Sequence, residues 1–143
     1  MLVSQILKTK APGVYTIAPD KTVAEAAVLL SERRIGALIV STDGKKALGI
    51  LSERDIVREL GRNGPESLTR RVDEMMTAKL VTCTSGDKNT DVMSRMTEGR
   101  FRHMPVIEQG QIVAMVTLGD VVKARLQELS AEKAALEGMI MGH

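Results

Sequence analysis

The chain has 143 residues, 43% hydrophobic and 27% charged, with a formal net charge of +2. That is one ordered unit or two small halves that need each other, with no overall field for nucleic acid or an anionic membrane. Tyr15 and Phe101 are its aromatic residues, so aliphatic side chains and nine Met must fill the core, and Cys83 stands alone, which excludes an intrachain disulfide.

In chain order, the opening run "MLVSQILKTKAPGV" lacks the apolar core of a secretory signal. No run approaches the ~20 apolar residues that span a bilayer, and a soluble cytoplasmic protein is expected. A short extended run at 14 to 17 leads into a helix whose Val23, Ala26, Ala27 and Leu30 share one face of a 3.6-residue period, with Thr22 and Glu25 as a capping box. "ALIVS" and "KALGIL" flank "TDGK", a hairpin with Asp-Gly at its turn. "GILSERDIV" then passes from strand into a second helix with Ile56, Val57 and Leu60 on one face, and polar "RNGPESLTR" reads as a linker.

After the linker the order begins again. Thr16 falls on Thr82, Glu25 on Asp91, Arg34 on Arg100 and Val40 on Val106, all 66 positions apart. One residue is lost in the second hairpin, around Gly110, so Ser52 falls on Thr117 and Asp55 on Asp120 at a spacing of 65. The short leads "VSQILK" and "VDEMMT" match as well. The chain is a tandem duplication of β-α-β-β-α, the second copy opening with a strand at 80 to 84. Neither copy covers its own three-stranded sheet, so the two are expected to pack sheet against sheet about a pseudo-twofold axis in an α+β (α/β) fold.

The duplication, with "VYTIAPDKTVAEAAVLLSERRIGALIV", "LGILSERDIV" and "RFRHMPVIEQGQIVAMVTLGDVV", resembles a pair of CBS domains, a Bateman module, over about residues 3 to 126. The divisions that follow are 1–68 for the first repeat, 69–127 for the second and 128–143 for a C-terminal helical tail. The resemblance implies a stand-alone, bacterial-type regulatory module that binds an adenosine-containing ligand such as AMP, ATP or NAD in two related clefts between the repeats. It also implies a homodimer and a separate client protein.

Ser52-x-x-Asp55 and Thr117-x-x-Asp120 are capping boxes on the simplest reading. The same geometry also suits a ligand: a helix start leaves amides free for a phosphate, and a carboxylate a turn inside accepts from a ribose diol. By resemblance Asp55 and Asp120 would hold ribose, and Ser52 and Thr117 phosphate or ribose. Arg102 and His103 would meet phosphate, as would Arg54, which sits inside "SERD". Gly36 and Ala37, matching Arg102 and His103 in the first copy, would admit a flat adenine or a backbone. Thr16 and Thr82 would line the adenine side, and Lys10 and Pro105 complete the candidate set. The two clefts should be unequal. Ala114, where the first copy has Gly49, is a departure from the pattern.

Catalysis finds little support: there is no Gly-rich phosphate loop, and the two His and single Cys have no ligand spacing. An alternative is a ligand-independent interaction or dimerisation adaptor, or a nucleic-acid binder carried by "ERR", "TRR" and "RFRH", though stacking aromatics are lacking. In the tail, Val122, Leu126, Leu129, Leu136 and Ile140 follow a helical 4-3 seam interrupted at Lys133.

Overall fold

The structure is a computed structural model that describes residues 1–11 and 13–140. Its elements are α1 (Val3–Leu7), β1 (Thr16–Ile17), α2 (Val23–Arg33), β2 (Ala37–Val40), β3 (Gly49–Ser52) and α3 (Glu53–Asn63). A 3-10 turn at Pro65–Thr69 leads to α4 (Val72–Met75), α5 (Asn89–Gly99), β4 (His103–Glu108), β5 (Gln111–Thr117) and α6 (Leu118–Ile140). The expected duplication is there, and mixed helix and strand form two sheets.

Local chemistry explains the boundaries. Thr22 accepts from the Glu25 amide at 3.1 Å while the Glu25 carboxylate accepts from the Thr22 amide at 2.9 Å, the capping box read from the sequence. In α5 the matching position is Lys88, which has no such oxygen, and the helix starts without a side-chain cap. The first hairpin closes through an eight-residue loop in which Asp43 accepts from the Lys45 and Lys46 amides, with Gly44 at φ +75°. The second turns on Gln109 and Gly110, both at positive φ, the tight form that matches strand twist.

The first sheet has the order β1-β2-β3, with β1 parallel and β3 antiparallel to β2. The second differs from expectation: it has two strands, β4 and β5, and the segment at 80 to 84 is reduced to a single parallel bridge from Cys83 to Val106. Cys83 donates to the Pro105 carbonyl and accepts from the Ile107 amide, after which Asp87 captures the Thr84 amide and turns the chain away. Burial pushes the Cys83 thiol up to about 11, so it is a protonated core group.

The buried side chains form two clusters, one per repeat, and the leads are exchanged between them. Val3 and Ile6 of α1 pack with Val92, Met96, Met104 and Val116 of the second repeat. Val72 and Met75 of α4 pack with Val23, Leu30, Leu38 and Leu51 of the first. Each repeat thus completes the other's core with roughly two buried aliphatic side chains, on the order of 1.5 to 3 kcal/mol each. All four residues of β2 are buried, so the sheet face that carries Ile39 is covered as well as the helix-facing one. The helical tail continues α6, which runs unbroken through residue 127 to Ile140, and residues 141 to 143 lie outside the described residues.

Candidate functional site

The principal cleft, of about 580 Å³, lies where β3 and the start of α3 meet the linker after α4 and the approach to β4. It brings together six of the expected residues: Ser52, Arg54 and Asp55 from the first repeat, and Arg102, His103 and Pro105 from the second. Arg58, Thr77, Lys79, Val81, Arg100 and Phe101 join them. Arg58 was legible as the residue one turn beyond Asp55 on the same face; the linker positions carried no local signal. The cleft collects five Lys and Arg side chains and His103 around the single carboxylate of Asp55.

Asp55 is 8% exposed, and both its oxygens have partners while one acceptor site on Oδ1 stays open. Its Oδ2 accepts from the Ser52 amide and hydroxyl, both at 2.9 Å, and its Oδ1 from Arg58 at 2.9 Å. The capping box is therefore real, and it holds the carboxylate at the cleft wall in one rotamer. The β3 edge is fixed by the linker, Ile50 and Thr77 exchanging backbone bonds of 3.0 and 2.9 Å.

The remaining candidates sit elsewhere. Thr16 is half-buried in β1 opposite Ile39, and Ala37 is buried opposite Ser52. Gly36 lines a second groove of about 470 Å³ between α2 and α3. The space a side chain would need at Gly36 is filled by His103, whose ring atoms lie 3.1 Å from where a Cβ would stand. Thr82 accepts at its carbonyl from Arg95 at 2.9 Å. Thr117 and Asp120 repeat the capping box, with bonds of 2.9 and 3.1 Å, but neither groove includes them. Lys10 lies on Asp120, 2.7 Å from Oδ2.

Burial alone would raise the Asp120 carboxyl, but the bonds from Lys10 and the Thr117 amide outweigh it and hold the group below the usual range. Its stabilising contribution is present above the unfolded carboxyl range and is lost as pH falls through the depressed value. Burial lowers His103, against the opposing pull of Glu53, so a neutral imidazole in the fold loses stability as pH falls below the ordinary His range. We expect Asp120→Asn to flatten the fall in melting temperature between about pH 6 and pH 3 relative to the unsubstituted chain. An unchanged acid limb would show that this carboxylate contributes nothing to the fold.

Among the described residues no group of His, Cys, Asp and Glu could hold a metal, and no helix is long and apolar enough to cross a membrane.

The sequence and fold have clear relatives. A CBS domain-containing mitochondrial protein of Arabidopsis thaliana, CBSX3, is 34% identical over 148 residues, spanning 98% of this chain and 72% of its own. The solved CBS-domain protein ATU1752 of Agrobacterium tumefaciens is 39% identical with a TM-score of 0.84, covering 87% of this chain and 99% of its own. A structure of CBSX2 in complex with AMP is 25% identical with a TM-score of 0.72, over 88% and 96%. The CBS domain family matches residues 3–62 and 72–127, the two halves of the duplication, and the chain belongs to that family as a tandem CBS-domain protein.

Proposed function

We propose that the chain is a regulatory module, without an activity of its own, that binds an adenosine-containing ligand in the cleft at Asp55. One observation carries the reading: a carboxylate held at a helix start shares a 580 Å³ cleft with six basic side chains. The carboxylate suits a ribose diol, while the helix start and the guanidinium groups suit phosphate. The volume is that of an ordinary small-molecule site. The AMP complex of CBSX2 supports the ligand class. The second-copy counterparts, Thr117 and Asp120, would form the related site, with Thr16, Thr82 and Ala37 on the base side. Calorimetric titration with AMP, ADP, ATP, NAD, NADH and S-adenosylmethionine tests the proposal; heat from none of them rejects it.

Arg102 is exposed and lies across the cleft from Asp55, so its role is expected in the phosphate and not the base. Arg102→Ala should weaken AMP about tenfold, roughly 1.5 kcal/mol for one charged hydrogen bond, and leave adenosine unchanged. Equal weakening of both would place Arg102 in folding or base contact.

The same module would work as a cytoplasmic homodimer acting on a separate client. The support is α6, whose Val122, Leu126, Leu129, Leu136 and Ile140 are all exposed at seam spacing, from 41% to 84%. A stripe of this kind on one helix needs a cover. Light scattering should give a dimer for the full chain and a monomer for a chain ending at Gln127. A monomer in both removes the dimer; a dimer in both moves the interface to the repeats.

The adaptor reading has one observation of its own, exposed Val28 on α2 and Val57 on α3, at 56% and 67%. It predicts partner binding that nucleotide does not alter.

A further inference from the structure

The seam on α6 has an internal symmetry. Val122, Leu126, Leu129, Lys133, Leu136 and Ile140 are separated by 4, 3, 4, 3 and 4 positions, an order that reads the same from either end. The helix that carries it is not symmetric. Its first half is anchored: Val121 and Ala124 are buried in the core of the second repeat, and Asn89 donates to the Val121 carbonyl at 3.1 Å and to Glu128 at 3.3 Å. Beyond that point every residue from Leu129 to Glu137 is exposed, so the second half has left the surface of the repeat. A helical stretch of that length is marginal in water on its own.

The charges along α6 are segregated. Lys123 and Arg125 flank the anchored half of the seam, and Glu132 and Glu137 flank the projecting half. Arg125 reaches Glu128 at 3.3 Å and Lys133 reaches Glu137 at 3.9 Å within the helix, while Lys123 and Glu132 have no ion partner among the described residues. Two copies laid side by side in the same direction would set Glu132 and Glu137 against their own kind and Lys133 against Lys133 in the seam. Laid in opposite directions, they bring Lys123 and Arg125 of each copy to the end that carries Glu132 and Glu137 of the other. The palindromic spacing then sets Val122 on Ile140, Leu126 on Leu136 and Lys133 on Leu129. Lys133 lays its aliphatic stem on a leucine and keeps its ammonium in water beside Glu137. Each projecting half also meets a surface that the other copy's repeat already holds in place, which lowers the ordering that association requires.

We propose that two copies of the chain pair through α6 in antiparallel orientation, about a twofold axis near Ala131, and that Lys133 sets the direction. The inference rests on the homodimer reading above and adds its geometry.

Oxidative crosslinking of the full chain tests it, with the buried Cys83 left in place and the unsubstituted chain as the blank. Leu129→Cys and Lys133→Cys chains, mixed and left to exchange before oxidation, should give a covalent pair with one of each. Either chain oxidised alone should stay single on a denaturing gel. Covalent pairs from one chain alone, at the yield of the mixture, put like positions opposite each other and overturn the antiparallel arrangement. Light scattering of the same samples under reducing conditions separates the two readings. Dimers that never crosslink move the interface to the repeats, which overturns this inference and leaves the homodimer intact, whereas a monomeric unsubstituted chain overturns both. If a cysteine variant is itself monomeric, charge exchange gives the answer. Glu132→Lys with Glu137→Lys should raise the dissociation constant of the dimer about tenfold, and adding Lys123→Glu and Arg125→Glu should bring it back. An unchanged constant in the first, or no return in the second, overturns the antiparallel pairing, because only there do the exchanged residues meet.

Discussion

Asp55→Ala should abolish the rise in melting temperature that nucleotide gives the unsubstituted chain. At a hundredfold excess over its dissociation constant, a ligand that binds only the folded state stabilises it by about 2.7 kcal/mol. For a chain of this size that is a rise of roughly 8 °C. The substitution also removes the acceptor of the Ser52 amide and hydroxyl and the partner of Arg58, a capping loss of about 1 kcal/mol in the absence of ligand. The quantity to compare is therefore the shift on adding ligand within each variant, not the melting temperature itself. Thr22→Ala is the useful control, since it removes a comparable cap, on α2, from a position that does not line the cleft. If Asp55→Ala retains the full shift, the ligand sits elsewhere and the cleft assignment is wrong.

Much of this site was legible because the duplication made it so. A lone Ser-x-x-Asp is a helix cap; two of them, 65 positions apart after matching strands, mark equivalent places in a two-part fold. Ser52, Arg54, Asp55, Arg102, His103 and Pro105, taken as candidates largely from the family resemblance, line one cleft. Local periodicity likewise placed α2 and its capping box, since both depend on neighbours a few residues apart.

What escaped was long-range. Val3 and Ile6 have the same pattern as Val72 and Met75, and nothing in either run says that each inserts into the other repeat's core. Lys79 and Val81 enter the cleft only because the linker is pinned to the β3 edge at Ile50. The contact between Lys10 and Asp120 spans nearly the whole chain. A pattern of apolar spacing also does not reveal whether a stripe is covered, and the α6 seam, read correctly as helical, is exposed along its length.

The departure at Ala114 has a structural cause, and it leads to the largest expected loss of stability. Gly49 begins β3 opposite Val40, and a Cβ there would stand 2.5 Å from Met76 Sδ and 2.9 Å from the Thr77 carbonyl oxygen. The methionine tip can turn aside, but the carbonyl belongs to a backbone held to Ile50 by two hydrogen bonds. Gly49→Val should therefore cost about 3 kcal/mol, the upper end of ordinary overpacking, even though valine is a better strand former than glycine. Gly49→Ala should cost nearer 1 kcal/mol, since one methyl asks for a smaller shift of the same carbonyl. In the second copy the neighbouring Met115 carbonyl accepts from the Lys10 side chain, and Ala114 packs against the core of that repeat. Urea unfolding reads the difference as a lower midpoint at unchanged slope. Thr77 also forms part of the cleft wall, so Gly49→Val should weaken nucleotide binding while Val40→Ala, at the paired position of β2 and outside the cleft, destabilises without doing so. A Gly49→Val chain as stable as the original would mean that the linker yields freely, and a cleft with a yielding wall would not discriminate one phosphate ester from another.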